Sequence, residues 1–175
     1  MTRERKGDVK PLSKARREAA LTIARRDQRL RPLLSGRNRP VFVEPNLHDP
    51  KRPDADDIVI GLYDYRSSRS VLALVDPSEE RVIGIEETDA HFQLSDEERR
   101  EAEELAGKDA RVREFLRRRS PNPLTRLYFP PGAAREEAAH RHAIVFLRPT
   151  TSERFYAVVD LSARKVVDVL DSLVG

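Results

Sequence analysis

"FYAVVDLSARKVVDVL", residues 155–170, sets two apolar runs around a polar turn, and the chain nearly repeats it as "VLALVDPSEERVIGIE", residues 71–86. Each copy runs through an apolar stretch, Val-Asp, a serine-containing turn, a basic residue and a second apolar stretch, which is the pattern of a hairpin. Ala73, Val75, Asp76, Ser78, Val82 and Ile83 match Ala157, Val159, Asp160, Ser162, Val166 and Val167 at a constant offset of 84. Upstream, Asp27-Gln28-Arg29-Leu30-Arg31 matches Asp109-Ala110-Arg111-Val112-Arg113 at an offset of 82. Matches in the same order point to one module written twice, too few copies for a solenoid.

Working outward, each hairpin belongs to a longer series of strand-sized runs. In the first half these are "VFVEP", "IVIGLYD", "SVLALVD" and "RVIGIEE", and in the second "RLYFPP", "HAIVFLR", "RFYAVVD" and "KVVDVL". Each series follows a helical segment. Ala15, Ala19, Ala20, Ile23 and Ala24 fall three and four residues apart behind Ser13, a suitable N-cap, so they share one helix face. Pro32 lacks the backbone donor, so this helix is expected to kink or restart near Asp27. Ser95 stands three residues before Glu98, the capping-box spacing, and Asp109 can cap a second helical piece, "ARVREFLRRR".

The expected fold is therefore α+β, with two tandem cystatin-like units, each a kinked helix packed on a four-stranded antiparallel meander. Packing a helix across such a sheet covers its apolar face and closes a two-layer core. The expected organisation is a mobile basic leader over residues 1–11, a first unit over 12–90 and a second over 91–175. Asp76 and Asp160 are expected to hold their turns by accepting bonds from backbone amides.

The length of 175 residues suffices for a real core without staples, and the chain has no cysteine. That rules out disulfides, thiolate metal sites and cysteine nucleophiles. No apolar run approaches the roughly 20 residues of a membrane helix, and "MTRERKGDVK" lacks the apolar segment of a secretory signal, so a cytoplasmic location is expected. The net charge of +3 hides an asymmetry: residues 1–40 hold 13 basic against 4 acidic residues, while residues 41–91 hold 5 against 12.

The stretch "IVIGLYDYRSSRSVLALVDPSEERVIGIEE", followed by "DEERREAEELAGKDARVREFLRRR", resembles the small N-terminal domains of copper amine oxidases, and "RFYAVVDLSARKVVDVL" looks like the same hairpin again. The resemblance implies the cystatin-like plan and a non-catalytic role in surface and assembly. In that family a much larger β-domain oxidises the amine, with a tyrosine-derived quinone beside a copper held by three histidines. No catalytic or cofactor-binding residue is therefore assigned here.

Candidate sites remain. His140 and His142, "HRH", have a spacing that puts both imidazoles on one side of a strand and suits copper or zinc, with His48 or His91 as the only further histidines to complete a set. A solvated loop-to-strand junction is the plainer reading. Tyr63, Asp64 and Tyr65 could form an acid–base or redox group, or pack at a sheet rim with their hydroxyls in water. Arg3, Arg5, Lys6, Lys10, Lys14, Arg16 and Arg17 could contact a polyanion such as nucleic acid or a protein partner, although no aromatic residue is interleaved for base stacking. There is no nucleophile elbow, phosphate-binding glycine loop or HExxH sequence.

The expected function is a non-catalytic, protein-binding or regulatory module whose partner is another protein, an enzyme for instance, or a second copy of itself. The alternatives are an accessory chain of a copper-dependent primary-amine oxidase, with copper and quinone on a separate catalytic chain, and polyanion binding by the basic N-terminus.

Overall fold

The computed structural model describes residues 11–35, 38, 40–46, 56–117, 122–132, 140–147 and 153–173. In chain order the elements are α1 (Lys14–Arg26), β1 (Pro40–Pro45), β2 (Ile58–Asp64), β3 (Arg69–Asp76), β4 (Arg81–Thr88), α2 (Asp96–Lys108), α3 (Ala110–Leu116), β5 (Leu124–Tyr128), β6 (His142–Leu147), β7 (Glu153–Asp160) and β8 (Lys165–Leu173). The fold is α+β. Strands β1 to β4 form one sheet in chain order and β5 to β8 form another. No described helix is long and apolar enough to cross a membrane.

The expectation of two tandem cystatin-like units, each a kinked helix packed on a four-stranded antiparallel meander, is corrected. Among the described residues there are three helices and eight antiparallel strands in two four-stranded sheets, and strand (40%) well exceeds helix (25%). Neither helical stretch kinks, because Asp27 and Asp109 take extended backbone angles, with ψ of 124° and 136°, and each ends the helix before it. Beyond Asp27 the chain continues only as turns; beyond Asp109 it starts a separate helix, α3.

The two breaks share one local chemistry. Asp27 Oδ1 accepts the Arg29 amide at 2.8 Å while the Arg29 guanidinium meets the same carboxylate at 3.0 and 2.6 Å. Asp109 accepts the Arg111 amide at 2.8 Å and its guanidinium at 3.1 and 3.0 Å. The carboxylate satisfies an orphan amide of the next turn, and the arginine covers both oxygens.

The chain divides into two compact units. One runs to Leu62 and resumes over Val71–Thr88; the other takes Tyr63–Ser70 and the chain from Asp89. The turn between β2 and β3 thus groups with the second unit. Most of the leader lies outside the described residues. The first core gathers Ala20, Ile23, Ala24 and Leu30 with Ile58, Ile60, Leu62, Val71, Ala73 and Val75. The second gathers Ala102, Ala106 and Val112 with Ala143, Val145, Phe155, Ala157 and Val159. Alanines four apart in each helix are fully or almost fully buried, which lets the backbone approach its neighbours closely.

Three hairpin turns follow one recipe: aspartate first and a left-handed residue just before the next strand. Asp64 accepts the Arg66 amide at 3.1 Å, Asp76 the Ser78 and Glu79 amides at 2.9 and 3.1 Å, and Asp160 the Ala163 amide at 2.8 Å. Ser68, Glu80 and Arg164 take φ of 55°, 48° and 56°. The turn role read from the sequence for Asp76 and Asp160 is the one observed.

Candidate functional site

The second unit holds two clusters of titratable side chains. The first is built at the start of α2. Ser95 accepts the Glu98 amide at 3.2 Å, and Glu98 Oε2 accepts the Ser95 amide at 2.7 Å, which completes the capping box. The same carboxylate receives the Arg141 guanidinium: Nε donates to Oε1, and Nη2 donates to Oε2 at 3.0 Å. Tyr65 adds its hydroxyl to Oε1 at 2.7 Å, Gln93 offers its carbonyl to Arg141 Nη2 at 3.0 Å, and the Tyr63 ring centre lies 4.9 Å from the guanidinium carbon.

The Arg141 and Glu98 side chains are only 1% and 9% exposed. Burial alone would push the Glu98 carboxyl up, but the Arg141 hydrogen bonds and charge, with Tyr65 and the Ser95 amide, hold it below the ordinary glutamate value. Both carboxylate oxygens are engaged, so this cluster braces the helix start rather than offering a free base.

The sequence weighed Tyr63, Asp64 and Tyr65 as acid–base groups or as rim packing with wet hydroxyls, and the structure corrects the second image. Tyr63 is buried at 4% exposure, and burial pushes its hydroxyl pKa up. Tyr65 spends its hydroxyl on Glu98, and Asp64 holds the turn and the Ser67 hydroxyl. Arg141, which anchors the cluster, was passed over because it stands between two histidines, and its immediate neighbours carry no signal of its burial.

The second cluster contains those histidines. His140 precedes β6 and His142 begins it. His140 Nδ1 donates to Asp160 Oδ2 at 2.8 Å, and His142 Nδ1 donates to the His140 carbonyl at 3.1 Å, with its Nε2 3.9 Å from Asp160 Oδ2. Burial works to raise the Asp160 carboxyl, but the Ala163 amide and the His140 ring outweigh it and hold the group below the ordinary aspartate value. A cavity of about 160 Å³ opens here, lined by Pro130, His140, His142, Asp160, Ala163, Lys165 and Val167.

For a metal, the sequence supplied His140 and His142 with His48 or His91. His91 is exposed and packs edge-on against Phe129 with ring centres 4.8 Å apart. His48 lies outside the described residues. Among the described residues no group of three or more histidine or carboxylate side chains is placed to hold a metal ion.

Of the basic candidates, Arg3, Arg5, Lys6 and Lys10 lie outside the described residues, while Lys14, Arg16 and Arg17 are exposed on α1. Arg16 pairs with Asp56 at 2.5 Å.

The sequence reading missed a third feature, an apolar row on the second sheet. Register places Leu124 opposite Phe146, Phe146 opposite Tyr156, and Tyr156 opposite Leu170. Directly paired residues share a face, and the adjoining row of Thr125, Val145, Ala157 and Val169 points the other way, where all but Thr125 belong to or pack against the core. The first row is thus on the outer face, with Leu124 and Leu170 at 45% and 38% exposure. The signal was in "HAIVFL" and "RFYAVV", whose outward positions Ile144, Phe146, Tyr156 and Val158 are apolar or aromatic where a solvated face would carry charge. No known family model matches the chain, and no curated protein matches it significantly.

Proposed function

We propose that the chain is a non-catalytic, protein-binding module. The observation that carries this reading is the outer-face row Leu124, Phe146, Tyr156 and Leu170, which crosses all four strands of the second sheet. The Phe146 and Tyr156 rings lie 5.8 Å apart, and charged Arg126 and Asp168 stand at the two ends of the neighbouring row. An aromatic and aliphatic centre with charged groups at its margin is the composition of a protein-docking patch.

The edge of the same sheet supports the reading. Strand β8 is nine residues long, and its exposed Val167 and Leu170 sit beside backbone groups that an extended segment can pair with. The likeness to the N-terminal domains of copper amine oxidases, which do no chemistry in that family, agrees with it.

The test is a photo-activated cross-linking side chain placed at Leu170 and, as control, at exposed Arg100 on α2, in cells that make the full chain. Discrete adducts at 170 that are absent at 100 and lost in a Tyr156→Asp background support the proposal. Equal labelling at both sites overturns it.

A further inference from the structure

The outer face of the second sheet carries opposite charges in a definite order. In the row beside the apolar one, register sets Arg126 opposite Ile144, Ile144 opposite Val158 and Val158 opposite Asp168. The cation stands on the first strand of the sheet and the anion on the last, so the two ends of one row differ in sign. Ile144 and Val158 between them are buried, while Arg126 and Asp168 are exposed. Among the described residues Arg126 meets no carboxylate. Asp168 accepts the Val169 amide beside it and lies within electrostatic reach of Arg111.

That order makes the face complementary to itself. A two-fold axis lying along the strands, between β6 and β7 and midway between two such faces, turns the first strand of one copy onto the last strand of the other and keeps each row over itself. Arg126 then stands over Asp168 of the second copy and Asp168 over its Arg126, while Leu124 meets Leu170 and Phe146 meets Tyr156. The alternative two-fold runs across the strands. It sets Arg126 over Arg126 and Asp168 over Asp168, which like charge opposes. Face-packed sheets cross at about 30°, which displaces an edge strand about 7 Å from the axis by roughly 4 Å, about one residue step and within an arginine's reach.

The area sets the strength. Four strands at about 4.8 Å and the five residues of β5 at about 3.4 Å give a footprint of roughly 320 Å². Side-chain relief enlarges the accessible surface, but it stays below the roughly 800 Å² per partner of a standard interface, so the contact is a weak and reversible one.

We propose that a second copy of this chain covers the outer face of the β5–β8 sheet, the copies being related by a two-fold axis along the strands with Arg126 of each paired to Asp168 of the other. The inference rests on the docking reading of the same face and names its occupant.

Sedimentation of the full chain over a concentration series reaching about 1 mM, at low and at high salt, tests it. The expected result is a reversible dimer that grows with concentration and weakens with salt. Both charges are exposed, so either can be reversed without disturbing the core. Arg126→Asp or Asp168→Arg replaces two opposite-charge pairs with two like-charge pairs and weakens the dimer by at least about tenfold. Mixed in equal amounts, the two variants pair with each other, and the double variant, with its polarity exchanged in both copies, returns to within about threefold of the original affinity. A chain that stays monomeric throughout the series, single variants that dimerise as well as the original, or a mixture that fails to pair overturns the proposal. If photo-adducts at 170 join the chain to a different protein while it sediments as a monomer, the docking reading stands and the second copy is overturned as occupant. A monomer that labels equally at 170 and 100 removes both.

Discussion

Replacing Arg141 with methionine keeps most of the stem's length and removes the charge. Glu98 would then remain almost fully buried with the Tyr65 hydroxyl and the Ser95 amide, having lost both guanidinium contacts, and the Gln93 carbonyl would lose its donor. Removing one partner of a buried pair costs about 3–5 kcal/mol, because an uncompensated charge is left in low dielectric. Against an ordinary total of about 5–15 kcal/mol that is a large fraction. The double variant Glu98→Leu/Arg141→Met removes the charge as well and is expected to be the more stable of the two, even after losing about 1 kcal/mol of capping.

Urea unfolding followed by tyrosine emission measures this well, since there is no tryptophan and all four tyrosines, at 63, 65, 128 and 156, belong to the second unit. The pH dependence gives a second reading. In the native protein Glu98 is held below its ordinary pKa, so the pair's contribution is complete above that ordinary value and fades as pH falls through the lower folded one. Without Arg141, burial raises the carboxyl above its ordinary value, and the penalty on the variant shrinks between neutral pH and the ordinary glutamate range near 4.3. A loss below about 1 kcal/mol, or a deficit that does not change with pH, would refute the reasoning.

Further perturbations test the local chemistry. Asp27→Ala and Asp109→Ala remove the same amide cap and arginine clasp, so each should cost about 1 kcal/mol in thermal or urea unfolding, and a large inequality would deny the shared geometry. Gly61→Ala places a methyl group 2.1 Å from Cε1 of Phe42, its cross-strand partner, so the ring must move; a loss of about 1–3 kcal/mol is expected, largely relieved in a Phe42→Ala background. Glu80→Gly frees an exposed left-handed residue from its Cβ strain and should stabilise by up to about 1 kcal/mol, whereas Glu79→Gly should not, by the same melting assay.

The elements whose chemistry is local were legible in the sequence. Asp109, Ser95 and the turn aspartates Asp76 and Asp160 act within three residues of themselves, and spacing alone locates such bonds, whereas the like role of Asp64 was not read. The change expected near Asp27 on account of Pro32 falls at that residue but is not a kink: the Asp27 carboxylate reaches the Arg29 amide and α1 ends there, with only turns beyond. What lay beyond reading was long-range. Arg141 and Glu98 are 43 residues apart, and nothing in "AHRHA" distinguishes a buried arginine from a solvated one. The outer-face row depends on the register of four strands, which follows from turn lengths and core packing together rather than from any single run.

The two units also differ in a way that bears on function. At the helix offset of 82, Arg16 stands where Glu98 does, and at the offset of 85 that matches core residues Ile58, Ile60 and Leu62 with Ala143, Val145 and Leu147, Asp56 and Asp57 stand where Arg141 and His142 do. In the first unit the base is on the helix and meets Asp56 just before β2; in the second the acid is on the helix and meets Arg141 just before β6. The link between helix start and strand start is present in both with its polarity reversed. Its setting differs as well: Arg16 and Asp56 are 43% and 70% exposed, a surface pair of little energetic weight, whereas Arg141 and Glu98 are buried and cannot be separated cheaply. Catalysis by an acid or a base depends on which group carries the proton, so it does not survive an exchange of sign, but a brace does. An ionic contact that recurs with either polarity serves to fix the approach of a helix start to a strand start.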